Sequence, residues 1–243
     1  MPPERVAQAA PSGPDAPLSR TMSAQITARI RDKILSGAYA PGAALRQDAI
    51  AAEYGISKIP VREALVQLRS EGLVDIYVHR GFQVRPLSVA EAQEVFRLRL
   101  AIEPAAVGQG ARSASAADHA TARQALAALT EALAAGKLHS SGDLNCAFHL
   151  ALIVPRLQPV AGEVLYRLHT LAQRYVRIHL LAAGRVRRAN REHSALYGAW
   201  AAGRVHEAQR LARAHIEETR GELAEVLAAR AQAPARKTGA RER

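Results

Sequence analysis

The stretch 41–84, PGAALRQDAIAAEYGISKIPVREALVQLRSEGLVDIYVHRGFQV, limits what this chain can fold into more than any other segment. Its residues divide it into a short helix over 48–54, a turn at Gly55, a second helix over 57–70 and a two-stranded hairpin. Gly55 supplies the permissive backbone that a tight helix–helix turn needs. Ser57 is placed to cap the second helix with its hydroxyl, and Pro60 falls in the first turn, where a missing N–H costs nothing. Val61, Ala64, Leu65 and Leu68 follow i, i+3, i+4, i+7 spacing and predict the inward face. Lys58, Arg62 and Arg69 share a neighbouring outward stripe. Val74, Ile76 and Val78 alternate with Asp75 and Tyr77 as a half-buried strand, His79-Arg80-Gly81 turns, and 82–85 returns.

A cationic stripe that starts at a helix N-terminus suits the DNA major groove, where Arg pairs bidentately with guanine and Lys meets phosphate. A basic hairpin tip beside it is a wing able to reach backbone or minor groove. The bland alternative is that Arg62 and Arg69 are solvated charges on an amphipathic helix. The segments PGAAL, IAAEYGIS, PVREALVQLRSEGLV and RGFQV, in that order and without a gap, resemble the winged helix-turn-helix of the GntR family of bacterial transcription regulators. The resemblance implies contact with a double-stranded DNA operator from Arg46, Ser57, Lys58, Ile59, Pro60 and Arg62, and from Arg80 and Gly81 of the wing. Lys58-Ile59 departs from the family's commoner Arg-Thr, which bears on base preference.

At 243 residues the chain has far more than this module needs, so a second domain with its own core is expected. Aromatics make up only 4% against 49% hydrophobic residues, which points to helices packed on small side chains. The formal net charge of +11 favours a polyanionic partner. Residues 20–86 carry ten Lys/Arg against six Asp/Glu, so +7 of that excess lies elsewhere and charge alone does not mark the DNA module. A single cysteine, Cys146, excludes an intramolecular disulfide and fits a reducing cytoplasm. No long apolar run or signal-like N-terminus is present, so a soluble, cytoplasmic protein without a membrane span is expected.

The Pro-rich stretch 1–19 reads as a disordered arm, 20–86 as the winged helix-turn-helix, 87–230 as an all-helical effector-binding and dimerisation domain, and 231–243 as a flexible basic tail. A helix over 21–36 would bury Met22, Ile26, Ile30 and Ile34. After Ser88 every pattern is helical. Capping boxes at Ser88/Glu91 and Ser115/Asp118 open the first two helices. Then follow a loop at 136–142, helices over 143–154 and 160–183 about a break marked by Pro155 and Pro159, a basic turn at 184–188, and helices over 189–202 and 204–229 divided by Gly203. The fold class is therefore mainly α: an N-terminal winged helix-turn-helix followed by an all-α antiparallel helical bundle able to enclose a pocket.

Among nine histidines, His149 lies four residues after Asn145 on one helical stripe, and His193 and His215 lie on the last two helices. One oxygen and three imidazoles would make a first shell for a divalent transition metal, although scattered histidines on such helices are mostly hydrogen-bonded or exposed. The segments RLRLAIEPAA, NCAFHLAL and EHSALYGAWAAGRVHEAQRLARAHIEET resemble the all-helical FCD effector domain of the FadR branch of the same family. That resemblance implies Zn or Ni held by Asn145, His149, His193 and His215, with Asn145 standing where an Asp is commoner. It also implies a homodimer on a palindromic operator, and Arg99 pointing into the pocket. A neutral amide leaves the ion's charge uncompensated, so a small anionic metabolite, a carboxylate or sugar acid, is the expected effector, held by the metal and Arg99. Arg174 and Tyr175 are further pocket candidates. For Arg99 the alternative is an ion pair with Glu103, four residues on. The functional expectation is a ligand-responsive repressor and not an enzyme. A metal-dependent hydrolase using the histidine cluster is the runner-up, without any H-E-x-x-H, Ser/His/Asp or Gly-rich phosphate motif to support it.

Overall fold

The computed structural model describes residues 21–153, 159–180 and 185–232. The expected arm at 1–19, nearly all of the expected tail, Pro155 and Gly184 lie outside them.

Helix α1 (Met22–Leu35) starts where Thr21 accepts a hydrogen bond from Ala24 N, and it buries Ile26, Ile30 and Ile34. Met22, expected in that seam, is 51% exposed, because the first turn projects beyond the core. Helices α2 (Gln47–Tyr54) and α3 (Lys58–Ser70) are joined at Gly55, which takes φ 63° and closes the short turn as only a residue without Cβ does freely. All four residues of the predicted inward face of α3 are fully buried. Ser57 occupies the N-cap position but its side chain makes no capping bond, so only its extended backbone contributes to starting the helix.

Strands β1 (Val74–Tyr77) and β2 (Gly81–Val84) pair antiparallel, Val74 opposite Val84 and Tyr77 opposite Gly81. Ala44 makes a single bridge to Gln83, and Leu45 N donates to Phe82 O at 2.8 Å, so the chain before α2 runs alongside the hairpin. The expected alternation holds only at the root. Val74 is buried, whereas Ile76 and Val78 are 44% and 81% exposed. On β2 the core reaches one step further, to Phe82 opposite Ile76, while the outer part of β1 is left uncovered.

The bundle consists of α4 (Val89–Ser113), α5 (Ala116–Ala134), α6 (Leu138–Ile153), α7 (Pro159–Leu180), α8 (Arg185–Ala201) and α9 (Val205–Gln232). Helix α4 runs through the middle, packed along α9 and touching α6, α7 and α8, while α5 lies on α6. Its core is separate from that of the head and is built on Phe96, Val107, Phe148, Leu165, Trp200 and Ile216. Ser115 and Asp118 form the predicted reciprocal capping box. At Ser88 only half forms: its hydroxyl accepts from Glu91 N, while the Glu91 carboxylate is drawn away to Arg85, Arg174 and Tyr175.

Two expected loops are helical. Gly136 alone, at φ 68°, stops α5, and α6 then begins at Leu138 with Gly142 inside it against Gln173 of α7. The basic residues after 184 form the first turn of α8, where Arg188 pairs with Glu192 at 3.2 Å and Glu218 at 2.9 Å, and Arg185 with Glu222 at 3.4 Å. Acidic residues of α9 neutralise a run that would otherwise repel itself out of a helix. Among the described residues no helix is long and apolar enough to cross a membrane.

Candidate functional site

The DNA-binding candidates come from three places on the head. Arg46 is the exposed N-cap of α2, Ser57, Lys58, Ile59 and Arg62 are exposed and Pro60 half-buried at the start of α3, and Arg80 and Gly81 are exposed at the hairpin tip. An ion pair between Lys58 and Asp48 sets the first turns of α2 and α3 side by side. Lys58 therefore approaches a phosphate only by leaving a carboxylate, whereas Arg62 stands clear. Ile59, 70% exposed at the helix tip, is an apolar side chain fit to meet a thymine methyl. His79, at φ 63°, turns the wing so that Arg80 leads it.

In the bundle the structure brings together the residues expected to hold a metal. Asn145 and His149 come from α6, His193 from α8 and His215 from α9. His193 Nε2 lies 3.2 Å from His215 Nε2, and the His149 ring centre is 5.3 Å from that of His193 and 5.2 Å from that of His215. Each of the three offers a ring nitrogen within 4.8 Å of the others. Asn145, Arg99, His193 and His215 line a cavity of about 20 Å³ closed by Phe96, Val176, Ala189, Ile216 and Thr219. That is room for one ion or one water molecule.

Burial pushes the His149 and His193 imidazoles below their ordinary range, and for His193 the neighbouring His215 adds to it. Both are neutral at physiological pH, the state a metal ligand requires. His149 Nε2 is buried without a hydrogen-bond partner, an orphaned nitrogen in the group it forms with His193 and His215. A donor set of imidazole nitrogens with one buried atom unsatisfied fits a zinc- or nickel-type ion.

Arg99 fulfils both readings made of it. It lines the cavity, and it also clasps Glu103 through Nε at 2.8 Å and Nη2 at 3.2 Å. Glu103, fully buried, further meets His149 Nδ1 at 3.0 Å and has His169 Nε2 at 3.2 Å. Burial alone would raise its carboxyl, but Arg99, His169 and His149 outweigh that and hold it well below the usual carboxylate range. Burial, reinforced by Arg99, takes His169 down to about 4. On the other side of the ring Glu192 Oε2 is 2.7 Å from His215 Nδ1.

The sequence reading missed Glu103, His169 and Glu192 as parts of this centre. A signal did exist: Arg99 and Glu103 sit on the same stripe of α4 as Phe96, Leu100 and Val107, and His169 follows Leu165 and Leu168 on α7, so charged and polar groups interrupt predicted core faces.

Arg174 and Tyr175, expected at the pocket, are turned away from it. Arg174 donates to the carbonyls of Arg85 and Pro86, the latter at 2.9 Å, and to Glu91 at 3.2 Å. Tyr175 donates to Glu91 and accepts from Ser88 N at 3.3 Å. The reason is geometric: the wall of the cavity is made by the next residue, Val176, and its two predecessors face the linker between head and bundle.

The family model for gntR-type bacterial regulatory proteins matches residues 22–84, and that for the FCD domain matches residues 94–218. A regulator in an unstable DNA locus of Streptomyces ambofaciens is 36% identical over 102 residues, covering 37% of this chain and 43% of that protein. The chain thus spans under half the length of that relative. The regulator BphR of Paraburkholderia xenovorans is 28% identical over 79% of this chain and 80% of its own. The solved structure of Escherichia coli McbR/YncC superposes with a TM-score of 0.74 at 22% identity, covering 84% of this chain and 98% of that one, which speaks to the fold. Some further relatives are named as repressors. These names point to DNA-binding regulators, and none of them supports the hydrolase alternative.

Proposed function

Because the chain belongs to the GntR family of bacterial regulatory proteins and carries an FCD domain, it is a DNA-binding transcriptional regulator, and we propose that it is a repressor released by a small anionic metabolite. As a homodimer it would present two α3 helices and two wings to a palindromic operator, with Arg46, Arg62 and Arg80 making the principal charged contacts. His149, His193 and His215, with Asn145, would hold the divalent ion, which when bound supplies a cationic anchor for a carboxylate or sugar acid.

The observation that carries the reading is the convergence of three imidazoles beside a buried guanidinium. Glu103 engages Nε and Nη2 of Arg99 and leaves Nη1 outside that pair, so one nitrogen remains for an incoming carboxylate. The cavity of about 20 Å³ accepts the anionic head of a metabolite only when its walls on α4, α8 and α9 part. Binding is then tied to helix movement, as a sensor requires. Helix α7 would carry the movement outward: Val176 touches the cavity, and the adjacent Arg174 and Tyr175 grip the linker to the head.

The test is fluorescence anisotropy on promoter-region DNA, with Zn²⁺ or Ni²⁺ and a panel of dicarboxylic, hydroxy and sugar acids, alongside elemental analysis of the purified chain. At least one acid should lower DNA affinity about tenfold or more. Asn145→Asp should tighten the metal and weaken the anion, since an added negative charge favours one and opposes the other. A chain that takes up no ion and responds to no acid would refute the sensing half.

A further inference from the structure

Two carboxylates stand immediately outside the ring of histidines. Glu103 Oε1 is 3.0 Å from His149 Nδ1, and Glu192 Oε2 is 2.7 Å from His215 Nδ1. An ionised carboxylate only accepts, so each Nδ1 donates, and in the neutral imidazole each Nε2 is then left with a lone pair. His149 Nε2 is accordingly buried and unpartnered. His193 Nε2 lies 3.2 Å from the His215 Nε2 lone pair and so must be the donor of that contact. His193 Nδ1 then carries the remaining lone pair, and it too is buried without a partner.

Resting on the metal reading above, we propose that Glu103 and Glu192 are the positioning residues of the centre: they lock His149 and His215 in the Nδ1–H tautomer, so that two Nε2 lone pairs are aimed at the ion before it arrives. His193 has no such carboxylate and is held the other way round. It offers Nε2 only after the proton there has moved to Nδ1, which makes it the last of the three to engage. The arrangement explains why a carboxylate occurs on α4 at a fully buried position, facing a helix 46 residues further along the chain. Arg99 engages both oxygens of Glu103 and thereby fixes which of them faces His149. Outer carboxylates of this kind orient a ligand imidazole and raise its basicity.

The experiment uses the metal-free full chain labelled with ¹⁵N at histidine. Two-bond ¹H–¹⁵N correlation should show protonated Nδ1 at His149 and His215 and protonated Nε2 at His193. Glu103→Gln strands the buried Arg99 and can unfold the chain, so Glu192→Gln, whose parent side chain is 26% exposed, carries the comparison. That variant should change the tautomer signature of His215 while leaving His149 as it was, and should bind Zn²⁺ about 10- to 100-fold more weakly in competition with a chelator. Wild-type protein with Nε2–H at His149 and His215 overturns the proposal, as does Glu192→Gln protein with unaltered His215 tautomer and unaltered Zn²⁺ affinity. Wild-type protein that shows the stated tautomers but takes up no Zn²⁺ refutes the metal reading and upholds the positioning by the two carboxylates.

Discussion

Arg62 projects from the first turns of α3 with its side chain in solvent, beside a lysine that already has a carboxylate partner. Replacing it with alanine should cost about 1–3 kcal/mol of DNA affinity. Should the guanidinium meet a phosphate, the slope of log affinity against log salt should also become shallower by roughly one. Titrating labelled promoter DNA at several salt concentrations reads both, and an Arg62→Ala chain indistinguishable from wild type would remove this helix from the interface. Tyr175 poses a different residue-scale question. Burial, with Glu91 as acceptor, pushes its phenol up to about 12. The folded state therefore prefers the neutral phenol, and its stabilisation is complete below the unfolded value near 10 and lost as pH climbs from there toward 12. At pH 8 Tyr175→Phe should be less stable by about 1 kcal/mol for the missing hydrogen bond. Urea melts from pH 8 to 11 should show that margin shrinking. A constant margin would mean the hydroxyl does not titrate differently on folding.

At the scale of elements, close approach decides where helices can lie. A Cβ on Gly110 of α4 would stand 2.1 Å from Leu152 O and 2.8 Å from Trp200 Nε1, which itself donates to Leu152 O at 3.0 Å. Gly110→Ala should thus force α4 from α6 and strain the Trp200 bond, costing about 1–3 kcal/mol or more, with a matching fall in urea midpoint. An unchanged midpoint would show that the contact yields easily. The same principle accounts for Gly142, which reads in one dimension as a loop residue and in three as part of a helix laid against α7. The wing is the opposite case. Its alternation reads as a half-buried strand, yet β1 buries only Val74 there, leaving Ile76 44% and Val78 81% exposed.

For the whole molecule, two hydrophobic cores are joined by a clasp. Arg174 holds the Arg85 and Pro86 carbonyls, and Glu91 gathers Arg85, Arg174 and Tyr175. Cutting it with Arg174→Ala should spare DNA binding itself, because the head retains its own core and the recognition helix is untouched. What should disappear is any change in DNA affinity that Zn²⁺ or a carboxylate produces in the wild type under the proposed function. Anisotropy titrations of the variant with and without those additions measure this, and a response of wild-type size would mean that the signal travels by another route.

Read by itself, the chain was enough to place the head, the inward face of α3, the Gly55 turn and the all-helical bundle. Each of those is written in patterns that repeat within a turn or a hairpin, or in motifs whose spacing survives without knowledge of the rest. Packing alone decided that Glu103 meets His149, that Glu192 meets His215 across α8 and α9, and that Arg174 faces the linker 88 residues before it. Those contacts join segments whose relative placement no local periodicity encodes. Whether a buried charge finds a partner there, or an expected loop stays helical, depends on which surfaces the helices bring within reach.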